Sequence, residues 1–154
     1  MIIKYKIFNY ENKLSKIFKG LTSESYTDNN FWIKEGNTVF SDNWVFIGFA
    51  HKLKSTGDAF TLNIANQPIL VLKNSEKKIL AFHNVCSHRC LKLVDKKKNL
   101  GKYISCPYHA WTYDLNGKLI RAPHFGGTNN HSPEGFKNIN NGLRSIRIKV
   151  WNDW

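Results

Sequence analysis

The apolar positions of this chain change their spacing once, near Trp44. Before that point they recur every three to four residues. Leu14, Ile17 and Phe18 share one helical face over residues 11–20, and Gly20 is placed to stop that helix. Asp28 is placed to cap a second helix running to about Phe40. Phe31, Trp32, Glu35 and Val39 fall inside it, and its apolar positions are expected to serve packing. After Trp44 the apolar runs shorten and polar turns separate them. Residues 44–50, 60–65, 68–73 and 79–83 read as strands. Leu62 and Ile64 alternate with Thr61 and Asn63, and Gly57-Asp58 marks a turn before them. Tyr103-Ile104-Ser105, Trp111-Thr112-Tyr113 and Lys118-Leu119-Ile120 give three more short strands. The last two flank Asn116-Gly117, a strong hairpin turn. Residues 124–142 are rich in Gly, Asn, Pro and Ser and read as an irregular loop. Leu143 to Trp151 alternates again, with Leu143, Ile146, Ile148 and Val150 apolar, and reads as a final strand. The pattern predicts a mainly β, antiparallel fold behind a short helical N-terminal segment.

Size and composition narrow this picture. A chain of 154 residues is expected to form one domain, and its 42% hydrophobic content supports a core. It has no run of about eighteen apolar residues, so no transmembrane helix is expected. Met1-Ile2-Ile3-Lys4-Tyr5 lacks the long apolar stretch of a signal peptide, which makes the cytoplasm the expected location. Three cysteines do not make a disulfide framework. The net charge is +12, from 23 basic and 11 acidic residues. Only four of the basic residues are arginine, and they are spread along the chain, which argues against a nucleic-acid surface. Lys96-Lys97-Lys98 reads as a solvated turn. The excess charge serves solubility, or forms a basic face that steers an acidic electron donor such as a ferredoxin.

Four residues carry the chemistry. Cys86-Ser87-His88 and Cys106-Pro107-Tyr108-His109 each offer one thiolate and one imidazole on a short loop. Two sulfur and two nitrogen donors suit zinc or an iron–sulfur cluster. Zinc fingers usually pair like with like, two cysteines and then two histidines. Here each loop carries one of each. A Rieske [2Fe–2S] cluster uses that order, with both cysteines on one iron and both histidines on the other. A structural zinc site built from the same residues is the competing assignment. The ligand pairs are expected at β-hairpin tips, with Pro107 stiffening the second loop. Tyr108 and Trp111 are expected to shield the cluster, and Arg89 to orient the first loop or lie on the surface.

The residues around these ligands resemble a known family. Asn84-Val85-Cys86-Ser87-His88-Arg89 and the run from Cys106 through Trp111 to Leu119 resemble the Rieske domain of aromatic-ring-hydroxylating dioxygenase large subunits and related Rieske non-haem iron oxygenases. Ser25-Tyr26-Thr27, Phe31-Trp32, Glu35 and Asn43 to Gly48 are similar to that family's N-terminal lead-in. Ile120 to Pro123 and Gly142 to Trp151 are similar to its later segments, so the resemblance covers roughly residues 20 to 154. One position departs: family members usually have Gly after His-Arg, and here Cys90 stands there. Tyr108 occupies the place where respiratory-type Rieske proteins carry a disulfide partner, so that bridge is excluded. Cys90 is then expected to be a small buried residue, strained if its φ is positive.

The resemblance implies a Rieske-type antiparallel β-sandwich with cluster-binding hairpin loops over residues 43–154, behind a helical lead-in over 1–42. It implies a [2Fe–2S] cluster on Cys86, His88, Cys106 and His109. In the family the electron passes to a mononuclear Fe(II), held by two histidines and a carboxylate, that hydroxylates or demethylates a small organic substrate. His51, His83, His124 and His131 do not form such a site, so no catalytic residue is assigned. The catalytic domain is expected to be absent and the chain to be a fragment of an oxygenase, fed from NAD(P)H by a reductase or ferredoxin and oligomeric at full length. No membrane or nucleic-acid partner is expected. The alternative is a standalone Rieske-type ferredoxin, an electron carrier and not an enzyme.

Overall fold

A computed structural model of the chain describes residues 20–125 and 141–154. Among these residues eight strands form two antiparallel sheets. In the first, β1 (Asp58–Ile64), β2 (Gln67–Lys73) and β3 (Ile79–His83) form a meander. Its edges are β4 (Lys98–Asn99) beside β1 and β8 (Ser145–Ile146) beside β3. The second sheet is β5 (Tyr103–Ser105), β6 (Thr112–Asp114) and β7 (Leu119–Arg121).

The period of two along each strand decides which side chains meet. Leu70 and Leu72 on β2, Ala59 on β1 and Phe82 on β3 pack with Ile104, Tyr113 and Leu119 of the second sheet. This core between the sheets also takes in Cys86, Cys106 and Trp111. Ile69 and Val71 alternate with Leu70 and Leu72, so they point to the other face. There they join Leu53 and Ala81 in a second cluster. Strand β2 is therefore buried on both faces, which explains why it reads as an unbroken apolar run. The turn after β6 falls where Asn116-Gly117 predicts it. Gly117 has φ +81°, and a Cβ there would lie 2.5 Å from Phe82 Cε1. Glycine is required on both counts.

Three expectations are corrected. Residues 44–49 belong to no strand, and the segment ends in a 3₁₀ turn at Ala50–Lys52. It lies over the outer face of the first sheet instead, where Ile47 packs on the second cluster. The expected final strand shrinks to Ser145–Ile146, paired with Ala81 and Phe82. Beyond it Ile148 reaches the same cluster without ladder bonds, and Trp151–Trp154 closes a turn. Asp153 of that turn accepts from His51 N–H at 2.8 Å and also contacts the His51 ring. Lys96 and Lys97 are exposed bends, but Lys98 belongs to β4 and pairs with Ala59.

Among the described residues the lead-in includes a short helix, α1 (Glu24–Thr27), that the pattern does not announce. Asp28 then caps α2 (Asn29–Glu35), accepting from Asn30 N–H at 2.7 Å. A π-helical turn, Gly36–Phe40, carries the helix on to the expected end. Its apolar residues do not pack as expected: Trp32, Ile33, Val39 and Phe40 are all exposed. The helix meets the β body at the β1–β2 turn, where Ala65 would lie 3.3 Å from a Cβ on Gly36. Residues 11–19 of the first expected helix, and residues 126–140 of the expected loop, lie outside the described residues. Among the described residues no helix is long and apolar enough to cross a membrane.

Candidate metal centre

Both ligand loops are built on one hydrogen-bond frame. In the first, Cys86 N–H donates to Leu91 O at 2.8 Å and Cys90 N–H to Cys86 O at 2.9 Å. In the second, Cys106 N–H donates to Trp111 O at 2.8 Å and Ala110 N–H to Cys106 O at 3.1 Å. The fifth residue of each loop is left-handed, Cys90 at φ 54° and Ala110 at φ 53°. The second loop joins β5 to β6 as a hairpin tip, as expected. The first does not join two long strands. A single bridge, Val85 to Lys92, closes it. The side chain of Asn84 replaces the missing ladder, donating to Val94 O at 2.6 Å and accepting from Val94 N–H at 3.0 Å. Asn84 is fully buried, so these bonds satisfy its amide.

The two cysteines are buried, Cys86 at 1% exposure and Cys106 at 4%. Burial pushes the Cys86 thiol pKa up, and the adjacent Cys106 adds to that shift. The two thiols are thus held side by side in the core, out of contact with solvent. Above it the imidazoles face each other, with His88 Nδ1 and His109 Nδ1 3.2 Å apart. Two nitrogens bonded to one tetrahedral ion at about 2.1 Å would lie about 3.4 Å apart, close to this spacing. Desolvation lowers the His88 pKa, and His109 and Arg89 lower it further. That favours the neutral imidazole a metal requires. Each ring is covered on one face. His88 stacks on Trp111 across the two loops, at 4.6 Å and 7°, and His109 stacks on its neighbour Tyr108 at 3.6 Å.

Another expectation parts from this geometry. Cys90 is exposed rather than buried, because its left-handed turn lies on the outside of the loop. Among the described residues no three His, Cys, Asp or Glu side chains are placed to hold one metal ion together. The donors pair two by two, thiol with thiol and imidazole with imidazole. A single zinc ion needs all four on one centre. His51 is engaged by Asp153, His83 lies on β3, and His131 is outside the described residues.

Spacing alone does not single out Tyr113. It is fully buried, and its hydroxyl lies 3.2 Å from Cys86 Sγ, 3.1 Å from Ser87 N and 2.9 Å from Ser87 Oγ. Its burial raises the phenol pKa well above the usual range, so the hydroxyl keeps its proton. The available signal is its place on β6, two residues past Trp111, which aims it back between the loops.

Comparison with known proteins identifies the family. The Rieske [2Fe–2S] domain family matches residues 43–132. Chloroplastic choline monooxygenase of Arabidopsis thaliana is 34% identical over 129 residues, covering 84% of this chain and 29% of the relative. The oxygenase subunit of glycine betaine monooxygenase from Pseudomonas aeruginosa is 33% identical over 125 residues, 81% of this chain and 28% of the relative. A quaternary ammonium Rieske monooxygenase solved with L-carnitine superposes with a TM-score of 0.72 at 25% identity, over 82% of this chain and 34% of that one. A naphthalene 1,2-dioxygenase solved with indole gives 0.66 at 25% identity, over 79% of this chain and 27% of that one. The chain thus spans about a third or less of the proteins it matches. With its two-sheet body, its paired loops and this match over more than half its length, the chain belongs to the Rieske [2Fe–2S] domain family, and its relatives are oxygenase subunits.

Proposed function

We propose that Cys86 and Cys106 hold one iron of a [2Fe–2S] cluster and that His88 and His109 hold the other through Nδ1. The observation that carries this is the pair of matching loops, which sets two imidazole nitrogens 3.2 Å apart above two buried thiols. When bound, such a cluster accepts and donates one electron at a time, at a potential raised by its neutral imidazole ligands. The chain's own residues set where that electron enters and leaves. Both thiols are shut in the core, whereas His88 is exposed and His109 half-buried. The histidine end is the route to a partner.

We further propose that residues 43–154 are the electron-transfer unit of an oxygenase, with residues 1–42 as its lead-in. A mononuclear non-haem iron outside this chain would receive the electron, and a reductase or ferredoxin would supply it from NAD(P)H. The solved monooxygenase reported with inter-subunit electron transfer supports an oligomer. Choline, glycine betaine and carnitine oxidation among the relatives makes a quaternary ammonium compound the favoured substrate class. The cytoplasm is the favoured location, although one relative is chloroplastic.

Iron and acid-labile sulfide analysis of the purified 154-residue chain, with electron paramagnetic resonance after reduction, tests the ligand assignment. The expected result is about two irons and two sulfides per chain and a reduced-cluster signal, lost in Cys86→Ser, Cys106→Ser and His88→Ala. Stoichiometric zinc without sulfide would overturn it. Reduction of the cluster by NADPH through a partner reductase, without turnover of any substrate, is expected of this chain alone.

A further inference from the structure

The hydroxyls around Cys86 form a chain with more acceptors than protons. Tyr113 OH contacts Cys86 Sγ at 3.2 Å and Ser87 Oγ at 2.9 Å, and accepts from Ser87 N–H at 3.1 Å. Ser87 Oγ also lies 2.9 Å from Asn141 O, to which it donates. Tyr113 and Ser87 each have one hydroxyl proton. With Cys86 as a free thiol every contact is satisfied in one direction. Cys86 S–H donates to Tyr113, Tyr113 donates to Ser87, and Ser87 donates to Asn141 O. As an iron ligand Cys86 has no proton to give. Tyr113 then donates to the sulfur, since hydrogen bonds to an anionic acceptor are the stronger ones. The 2.9 Å contact between Tyr113 and Ser87 would be left without a proton. Ser87 can supply one only by turning its own away from Asn141 O.

We propose that Ser87 is a positioning residue for the cluster. In the loaded protein the chain runs inward, Ser87 O–H to Tyr113 O–H to Cys86 Sγ, and in the free protein it runs outward to Asn141. The backbone N–H and the hydroxyl of Ser87 then occupy both lone pairs of the Tyr113 oxygen, so its proton has one direction left, toward the sulfur. Donation by Ser87 polarises the Tyr113 O–H and strengthens that bond. Hydrogen bonds to cluster sulfurs raise the reduction potential. Ser87 thus acts on the cluster through Tyr113. The inference rests on Cys86 being a cluster ligand.

Reduction potentials of the cluster-loaded 154-residue chain test it in a double-mutant cycle. Tyr113→Phe is expected to lower the potential. Ser87→Ala is expected to lower it by less, and the double variant to equal Tyr113→Phe alone. Ser87→Thr, which keeps the hydroxyl, is expected to restore the wild-type value. Additive shifts, an unchanged potential in Ser87→Ala, or a Ser87→Thr potential matching Ser87→Ala would overturn the proposal. Failure of the ligand assignment shows separately, as a cluster that survives Cys86→Ser. If Ser87→Ala does not load, loading of Ser87→Thr still decides whether the hydroxyl is what matters.

Discussion

Cys90 and Ala110 show how a single backbone angle shapes the centre. Both stand at the fifth place of a ligand loop and both have φ near +54°, where a side chain is disfavoured. The frame needs this turn to bring Cys86 O to Cys90 N–H and Cys106 O to Ala110 N–H. Glycine would adopt it without strain, at some loss of chain entropy on folding. Cys90→Gly is therefore expected to stabilise the protein by about 1 kcal/mol, read as a raised denaturation midpoint. Because Cys90 is exposed, the change removes no core packing. A lower midpoint would mean that the Cys90 side chain makes contacts worth more than the strain. Cluster content is expected to stay the same, since Cys90 belongs to neither ligand pair.

At the scale of elements, the two loops reach the same geometry by different supports. The second is held by the β5–β6 hairpin. The first depends on Asn84, whose amide makes two bonds to Val94 where a strand pair would otherwise stand. Asn84→Ala would leave the Val94 N–H and carbonyl unpaired in the core. The expected cost is about 1–3 kcal/mol per orphaned group, read by chemical denaturation. The cluster should become easier to strip with a chelator, because the Cys86 loop loses its anchor. Asn84→Asp keeps the acceptor for Val94 N–H but sets a buried carboxylate oxygen against the Val94 carbonyl, and should cost at least as much as Asn84→Ala. In β2, Leu72 is fully buried between the sheets. Leu72→Ala is expected to cost about 2–5 kcal/mol of stability.

On the scale of the whole molecule, a partly buried histidine outside the ligand set couples protonation to folding. His83 sits where β3 meets the C-terminal segment, its N–H donating to Arg144 O at 2.9 Å. Burial lowers its pKa, and the Arg144 charge adds to the shift. The folded state therefore binds this proton less readily than the unfolded chain. Stability is expected to be unaffected by His83 above the ordinary histidine pKa of about 6.5. It should fall as pH drops from there through the lowered folded value, then level off. His83→Gln should flatten that part of a stability-against-pH curve. A wild-type curve already flat below pH of about 6.5 would contradict the assignment. Lysines also cluster at one place on the surface. Lys54, Lys73, Lys77 and Lys78 gather around the ends of β2 and β3 that lie away from the ligand loops.

Much of this protein was legible from residue types and spacing. Alternation of Cys and His across two loops pointed to a two-iron cluster, because unlike irons need unlike ligand pairs. The apolar periods located β1, β2 and β3 and the Asn116-Gly117 turn, because burial and backbone angle are local demands. Three features were not local, and only the tertiary structure decided them. Residues 44–49 carry a strand-like pattern but lie flat on the sheet, since pattern records burial and not hydrogen-bond partners. Cys90 reads as a small core residue, but the loop frame turns it outward. Tyr113 reads as one aromatic among many on a strand. It becomes part of the centre because two sheets pack face to face and bring its hydroxyl to Cys86 from 27 residues away in sequence. Ligand identity is a matter of chemistry that a sequence can state. The second set of contacts around the ligands depends on which distant residues share a core, and that is settled only when the chain is packed.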